Sequence, residues 1–299
     1  MKKKQFWLGI IIGVLGVVLF SSKAVMVKIA YQYHVDAISI LLLRMLFSFP
    51  FYIVIAYLYR NKSKTQKTTK DWLWLVFFGV VGYYLASYFD FVGLVYIKAS
   101  LERIILFLYP TIVLILNKLF LKQRITTPQL IAIALTYLGI LIAFWDEVNV
   151  SGEGTIIGGV LILLSALTYA SYLVGSGWLI PKFGVVQFTA YAMLVSCISV
   201  FAHYSITNQV NLFNFSFEVY VLGFLIAVFA TVIPSFLVSA SIKMISSSNY
   251  AIIAGVGPIS TIILATIFLE ERLTFIQLIG ALVVISGIVF ISLKKSPKL

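Results

Sequence analysis

Six side chains that carry charge in water lie inside runs of apolar residues: Lys23, Lys28, Arg44, Asp90, Glu102 and Arg103. An ionisable group in an apolar medium costs roughly 2.5 to 3.5 kcal/mol on insertion scales, so each is a candidate for ion pairing, proton carriage or the binding of a charged ligand. Asp90 is the carboxylate to choose as a proton carrier. Lys23, Arg44 and Arg103 set against it leave an excess of positive charge, which suits a ligand with a carboxylate or other anionic group. Glu102 lies close to a helix N-terminus, where the dipole favours a carboxylate without any further role. Lys28 and Lys98 stand near the ends of apolar runs, where long side chains snorkel to the interface.

Polar side chains at helical spacing extend this set. Tyr83, Ser87 and Asp90 form one stripe; Ser165, Tyr169, Tyr172 and Ser176 form another, with Trp178 near its end; Ser235 and Ser239 form a third. Together they can line a cavity with aromatic walls and a few polar groups, the usual makeup of a small-molecule site. Asp90 with Arg103 reads equally well as a structural pair that fixes a hairpin. Pro110 and Pro258, in the middle of apolar runs, are candidates for hinges or broken helices, with packing as the plainer alternative.

Other chemistry is poorly supplied. Cys197 is the one cysteine and lies in an apolar run, and His34 and His203 fall at run ends, so neither a disulfide framework nor a metal site is expected. No cofactor is implied. A membrane-embedded enzyme would need a proton-transfer or metal constellation, and an aspartyl protease a second aspartate within a span. No Walker-type phosphate loop is present, so ATP does not drive this chain directly.

These residues must be positioned by membrane helices. Of 299 residues 62% are hydrophobic and 11% charged, and the mean hydropathy is +1.07. No soluble domain of this size hides so much apolar surface. The net charge of +12 would point to nucleic acid in a soluble protein, but here the basic residues flank apolar runs, as topology signals and lipid contacts do, so no nucleic-acid partner is expected. The basic start, Met1 to Gln5, leads into an apolar run too long for a signal peptide, and we read it as a retained first span.

Runs of about 20 apolar residues lie near 6–29, 36–59, 72–95, 100–120 and 128–146, and again near 155–179, 185–206, 218–240, 249–269 and 274–293. The stretch from Ile97 to Arg124 recurs as Ile245 to Arg272, with Pro110 matched by Pro258 and Arg124 by Arg272. Thr126, Gln129 and Gly139 recur as Thr274, Gln277 and Gly287. The expected fold is all-α and integral to the membrane: ten transmembrane helices in two repeats of five, residues 1–149 and 150–299.

Lys2 to Lys4, the basic stretch from Arg60 to Lys70, Lys118, Lys122 and Arg124, Lys182, Lys243 and Lys294 to Lys298 fall on one face of such a bundle. By the positive-inside rule both termini are cytoplasmic. Five spans per repeat invert the second copy, an architecture that places a site between the halves and permits alternating access. Short turns then set depths: Asp90 and Arg103 lie on the order of 10 Å from the turn near Ile97 and are expected to pair, while Lys23 and Arg44 share a similar level.

Two five-span repeats, each with a Pro-containing span, a short loop such as Phe268-Leu269-Glu270-Glu271-Arg272-Leu273-Thr274 and a last span bearing Gln and Gly, resemble the EamA type of the drug/metabolite transporter superfamily. The match is tightest from Pro258 to Gly287; the first half carries Lys122-Gln123-Arg124 where the second has Glu270-Glu271-Arg272. The resemblance implies an exporter or exchanger of amino acids or other small metabolites. The expectation is a secondary active transporter of a small carboxylate in a bacterial inner membrane, with protons as coupling ion, acting as a monomer or homodimer. A facilitated exchanger or channel-like permease is the alternative.

Overall fold

The computed structural model describes residues 3–60, 66–97, 99–143, 154–207, 212–268 and 275–293. Lys98, the acidic loop Asp146 to Glu153, the boundary between residues 149 and 150 and the Glu270-Glu271-Arg272 loop lie outside them. The described residues are almost entirely helical. The first half runs α1 (Lys3–Tyr31), α2 (Ala37–Tyr59), α3 (Thr69–Phe78), α4 (Ala86–Tyr96), α5 (Ala99–Leu106), α6 (Tyr109–Leu121) and α7 (Thr127–Ala143). The second runs α8 (Thr155–Phe183), α9 (Val185–Thr207), α10 (Phe217–Ala227), α11 (Ile233–Ile245), α12 (Ser247–Ile253), α13 (Val256–Phe268) and α14 (Phe275–Leu293).

Among the described residues, seven helical stretches are long and apolar enough to cross a membrane: Lys4–Tyr31, Ala37–Tyr59, Thr69–Tyr96, Thr155–Phe183, Val185–Thr207, Phe217–Ile245 and Ser247–Phe268. Three shorter apolar helices, Tyr109–Leu121, Thr127–Gly139 and Leu278–Gly287, accompany them. The expected fourth span is one of the shortened ones, because its helix stops after Leu106 and restarts at Tyr109. Large apolar side chains such as Phe120, Ile156, Ile206, Phe217 and Phe275 face outward, while Lys23, Arg44, Asp90, Glu102 and Arg103 are buried. That inside-out distribution fits a chain dissolved in lipid, and the protein is a multi-pass membrane protein.

Local sequence accounts for the ends and the interruptions. The Asp36 carboxylate accepts from the backbone N–H groups of Ile38 and Ser39 and caps α2. Thr68 and Asp71 form a capping box at α3. Gly184, at φ +81°, makes the one-residue turn from α8 into α9, a conformation that a side chain would strain. Pro110 lacks the N–H that would reach the Leu106 carbonyl, and Pro258 the one that would reach Ala254. The chain breaks at both places and tightens into i→i+3 bonds, from Leu108 N–H to Ile105 and from Gly257 N–H to Ala254. Both prolines therefore sit in the first turn of a restarted helix, where proline is tolerated, rather than in a helix middle.

The two halves keep step. Ala37 and Val185, Thr69 and Phe217, Ala99 and Ser247, and Thr127 and Phe275 begin corresponding helices, each pair 148 positions apart. The third helix of each half contains a π-helical turn in matching register, Gly79–Leu85 and Val228–Val232. Packing is reciprocal across the halves: α1 lies mainly on α11 and α13, and α8 on α4 and α6, while α7 and α14 lie side by side. Gly9, Gly13 and Gly16 give α1 a bare face on which Met244, Ser241 and Leu237 of α11 sit.

The π turn at Gly82 lies directly under Tyr172 of α8, and a Cβ there would overlap the tyrosine Cβ. Gly159, also on α8, has nothing nearer than Ile105 Cδ1 at 3.6 Å. Gly82→Ala is therefore expected to lower stability by about 1–3 kcal/mol, the usual result of overpacking, and Gly159→Ala to leave it unchanged or slightly raised. Unfolding of the purified protein in mixed detergent micelles reads the difference; equal effects at both positions would contradict the close approach of the Gly79–Leu85 π turn to α8.

Candidate functional site

Ions buried together in an apolar interior must find one another, and five do so where α1, α2, α4 and α5 meet. Lys23 of α1 places Nζ 2.5 Å from Asp90 Oδ2 of α4, with both side chains almost wholly buried. The ammonium also lies 4.9 Å from the centre of the Phe20 ring and 5.9 Å from that of Phe91. Arg103 Nε lies 3.0 Å from Oε2 of its sequence neighbour Glu102, which is 0% exposed. The Glu102 carboxyl in turn faces Asp90. Arg44 of α2 donates from Nη2 to Ser87 Oγ at 3.1 Å and stacks its guanidinium 5.3 Å from the Phe91 ring.

This pairing departs from the expected one. Asp90 is bound by Lys23 and not by Arg103, because α1 passes close to α4 and the flexible lysine stem reaches the carboxylate. Arg103 is engaged instead by Glu102. Glu102 lies in the first turn of α5, where the helix dipole favours a carboxylate, and is also fully buried inside the cluster. The polar atoms are only partly satisfied: Arg44 Nε and Nη1, Arg103 Nε and Nη2, Asp90 Oδ1 and both Glu102 oxygens have no hydrogen-bond partner in the protein. Native interiors rarely tolerate this except where a site has work to do.

Beside the charges, a cavity of about 30 Å³ lies between the two helix breaks, lined among others by Ser21, Arg103, Tyr109, Tyr169, Tyr250 and Pro258. It has room for on the order of two water molecules, so a metabolite enters only when helices part. Tyr109 meets Tyr169 edge-on at 5.4 Å, Phe20 stacks on Tyr169 at 5.9 Å, and Tyr83 meets Tyr172 edge-on at 4.7 Å. Aromatic walls of this kind bind apolar parts of a ligand and its cationic groups.

The other residues singled out in the sequence are distributed as follows. Tyr83, Ser87 and Tyr172 lie on the Arg44 side of the cluster, and Tyr169 on the cavity side. Ser235 bonds Tyr52 at 3.0 Å, Ser239 accepts from Thr189 at 2.7 Å, and Ser176 bonds back to the Tyr172 carbonyl within its own helix. Those three hydroxyls serve helix contacts. Trp178 is not with the others: it packs on Trp74 at 5.5 Å, under the Lys182 ammonium. His203, expected to be solvated, is half-buried and bonded through Nδ1 to the Tyr84 hydroxyl. Sequence reasoning set Glu102 aside and did not select Tyr52, Tyr109 or Tyr250; the repeat register could have found Tyr250, which stands 148 positions after Glu102.

The model of the EamA-like transporter family matches the chain twice, over residues 7–145 and 156–293. The chain belongs to the EamA family. Its relatives include YcbK of Bacillus subtilis (strain 168), an uncharacterized transporter 33% identical over 298 residues, which cover 97% of this chain and 95% of that protein. An uncharacterized transporter of Archaeoglobus fulgidus is 22% identical over 94% of this chain and 96% of its own length. One solved crystal structure superposes with a TM-score of 0.76 over 95% of this chain and 98% of that one at 12% identity, a likeness of fold alone. The EamA protein is thus a membrane transporter and not an enzyme, and a small-molecule substrate and a lipid bilayer are its partners.

The Lys23 and Asp90 pair gives a direct test of the cluster. Lys23→Met leaves a buried carboxylate without its cation and should destabilise the protein by about 3–5 kcal/mol. Adding Asp90→Leu removes that carboxylate, so the double variant should recover part of the loss. A double-mutant cycle by detergent unfolding checks this, and simple additivity would mean that the two side chains are not coupled.

Proposed function

We propose that this EamA-family protein is a secondary active transporter of a small carboxylate-bearing metabolite, with amino acids the leading class, and that it exports its substrate by alternating access. The reading rests on one observation: three buried cations, Lys23, Arg44 and Arg103, outnumber Asp90 and Glu102 beside an aromatic cavity at the helix breaks. A carboxylate would balance the excess charge, and the guanidinium groups have donors left to bind it. Tyr109, Tyr169 and Tyr250 would receive the remainder of the ligand.

In this reading the chain crosses the membrane ten times, as two inverted five-span repeats, residues 1–149 and 150–299, with both termini in the cytoplasm of a bacterial cell. The common register of helices, breaks and π turns in the two halves supports it, as does the double family match. The prolines at 110 and 258 mark the points where the broken helices would bend as the halves rock. Protons are the proposed coupling ion, and the protein works as a monomer or homodimer.

Uptake of labelled amino acids into proteoliposomes under an imposed pH gradient tests the reading. Saturable flux that follows the gradient, reduced at least about tenfold in Arg44→Gln, is the expected outcome; a factor of ten corresponds to the loss of about 1.4 kcal/mol of binding. Flux in Arg44→Gln equal to that of the parent would remove Arg44 from the site, and flux that never saturates would indicate a channel.

A further inference from the structure

The two carboxylates of the cluster are held differently. Asp90 has a committed partner, the Lys23 ammonium at 2.5 Å. Glu102 accepts no N–H or hydroxyl on either oxygen, although it is wholly buried, and its carboxyl faces that of Asp90, with which it can share a proton. Its nearest cation is its own neighbour in sequence, and side chains at i and i+1 on a helix diverge by about 100°. The contact between Glu102 Oε2 and Arg103 Nε is accordingly close, at 3.0 Å, but carries no aligned N–H. Arg103 Nε and Nη2 are both without acceptors, and the residue lines the cavity with Ser21, Tyr109, Tyr169 and Tyr250.

From this geometry we infer that Arg103 is the carboxylate-binding subsite of the aromatic cavity, and that Glu102 is a proton-controlled competitor for it. With Glu102 ionised, its carboxylate holds Arg103 and the cluster carries one excess positive charge. When a proton from water adds to the Glu102 carboxylate, Arg103 loses its counter-ion and becomes free for the carboxylate of a substrate. Proton and anion therefore bind together and leave together, which makes the coupled process symport of one proton with one carboxylate. The inference rests on the carboxylate reading under Proposed function and moves the proton-carrying role from Asp90 to Glu102; export by this coupling is driven by the outward gradient of the carboxylate, which carries the proton out with it. The charged and titratable groups facing Glu102 are Lys23 of α1, Asp90 of α4 and Arg103 beside it; Arg44 of α2 and Tyr109, Tyr169 and Tyr250 of α6, α8 and α12 complete the surround, and the described residues of α13 contribute none.

The test uses the full-length protein in detergent, with acetate, L-lactate, succinate and individual L-amino acids as probes and the ligand-induced rise in unfolding temperature as readout. In the parent at least one probe stabilises the protein, with an apparent affinity that rises as pH falls from about 8 to about 6, by up to about tenfold per unit for one linked proton. Glu102→Gln should bind the same probe equally well at both pH values, at the parent's acid-side strength. Glu102→Asp should restore a pH dependence, and Arg103→Gln should lose the response throughout. Should Glu102→Gln not fold, the parent alone decides: binding must take up a proton from weakly buffered solution, and release of a proton or no uptake overturns the competition. A parent-like pH profile in Glu102→Gln, or a full response in Arg103→Gln, overturns this inference while leaving the carboxylate reading intact. No response of the parent to any carboxylate overturns both.

Discussion

The ion pair between Lys23 and Asp90 fixes α1 against α4, and much of the architecture depends on that contact. Two charges in an apolar interior are stable only together; removing either leaves the other without water or counter-ion. Their union holds the first helix against the third of its own half. On its other side α1 presents the bare face of Gly9, Gly13 and Gly16 to α11. The helix is thus gripped by charge within its own half and by close backbone packing to the other half. Phe20 and Ser21, one turn before Lys23, reach the cavity at the helix breaks, so the same helix carries the ion pair, the packing surface and part of the candidate site.

The helices, their breaks and their pairing were legible in the residues to different degrees. Apolar runs of about 20 residues set the helices, because lipid requires every backbone group to be satisfied internally and runs of that length do so as helices, and Pro110 and Pro258 in one register marked both interruptions. The break itself falls before each proline, since the missing hydrogen bond is the one to the carbonyl four residues earlier. The π turns left no pattern in the residue types that distinguishes them from ordinary helix. Hairpin counting placed Lys23, Arg44, Asp90 and Arg103 at comparable depth, and they do lie together. It could not choose partners, because depth follows from rise per residue whereas the facing of side chains follows from how each helix is rotated in the packed bundle. Glu102 stands in the first turn of its helix as read, but its place in the cluster was not legible, because a helix-dipole argument is local and says nothing about burial. Trp178, read only as standing near the end of its stripe, lies six residues from Tyr172, which carries it to another face of α8 and onto Trp74.

The two halves share a scaffold but not its charges. In the register that maps Pro110 onto Pro258, Arg44 corresponds to Ala192, Asp90 to Val238, Glu102 to Tyr250 and Arg103 to Ala251, and these four counterparts are as buried as the ions they replace. Tyr250 lines the same cavity as Arg103. One half brings the ionic groups and the other supplies an aromatic hydroxyl and small apolar side chains. In the proposed reading a ligand between them would meet charge on one side and a ring on the other, an arrangement that suits an amphipathic metabolite better than a bare inorganic ion.

That division also decides what relative motion of the halves would require. Lys23, Arg44, Asp90, Glu102 and Arg103 all belong to the first half, so their mutual contacts travel with it and no buried ion pair among the described residues has to open. What joins the halves is mostly neutral. Asn117 donates to Ser247 and Ser248, Gln129 to Asn249, Ser241 to the Gly9 carbonyl, and Tyr52 meets Ser235. A neutral hydrogen bond contributes only about 0.5–1.5 kcal/mol net, since water replaces it when it opens, against about 3–5 kcal/mol for stranding a buried ion. The ion pair that does cross, Lys182 with Asp71, has a lysine side chain 37% exposed, so solvent screens it and can take its place. The seam between the halves is therefore closely packed but joined by few strong polar contacts. A bundle built this way could exchange one neutral seam for another while its charged cluster stays assembled, which is what the proposed alternating access would demand of the proposed ligand-binding groups.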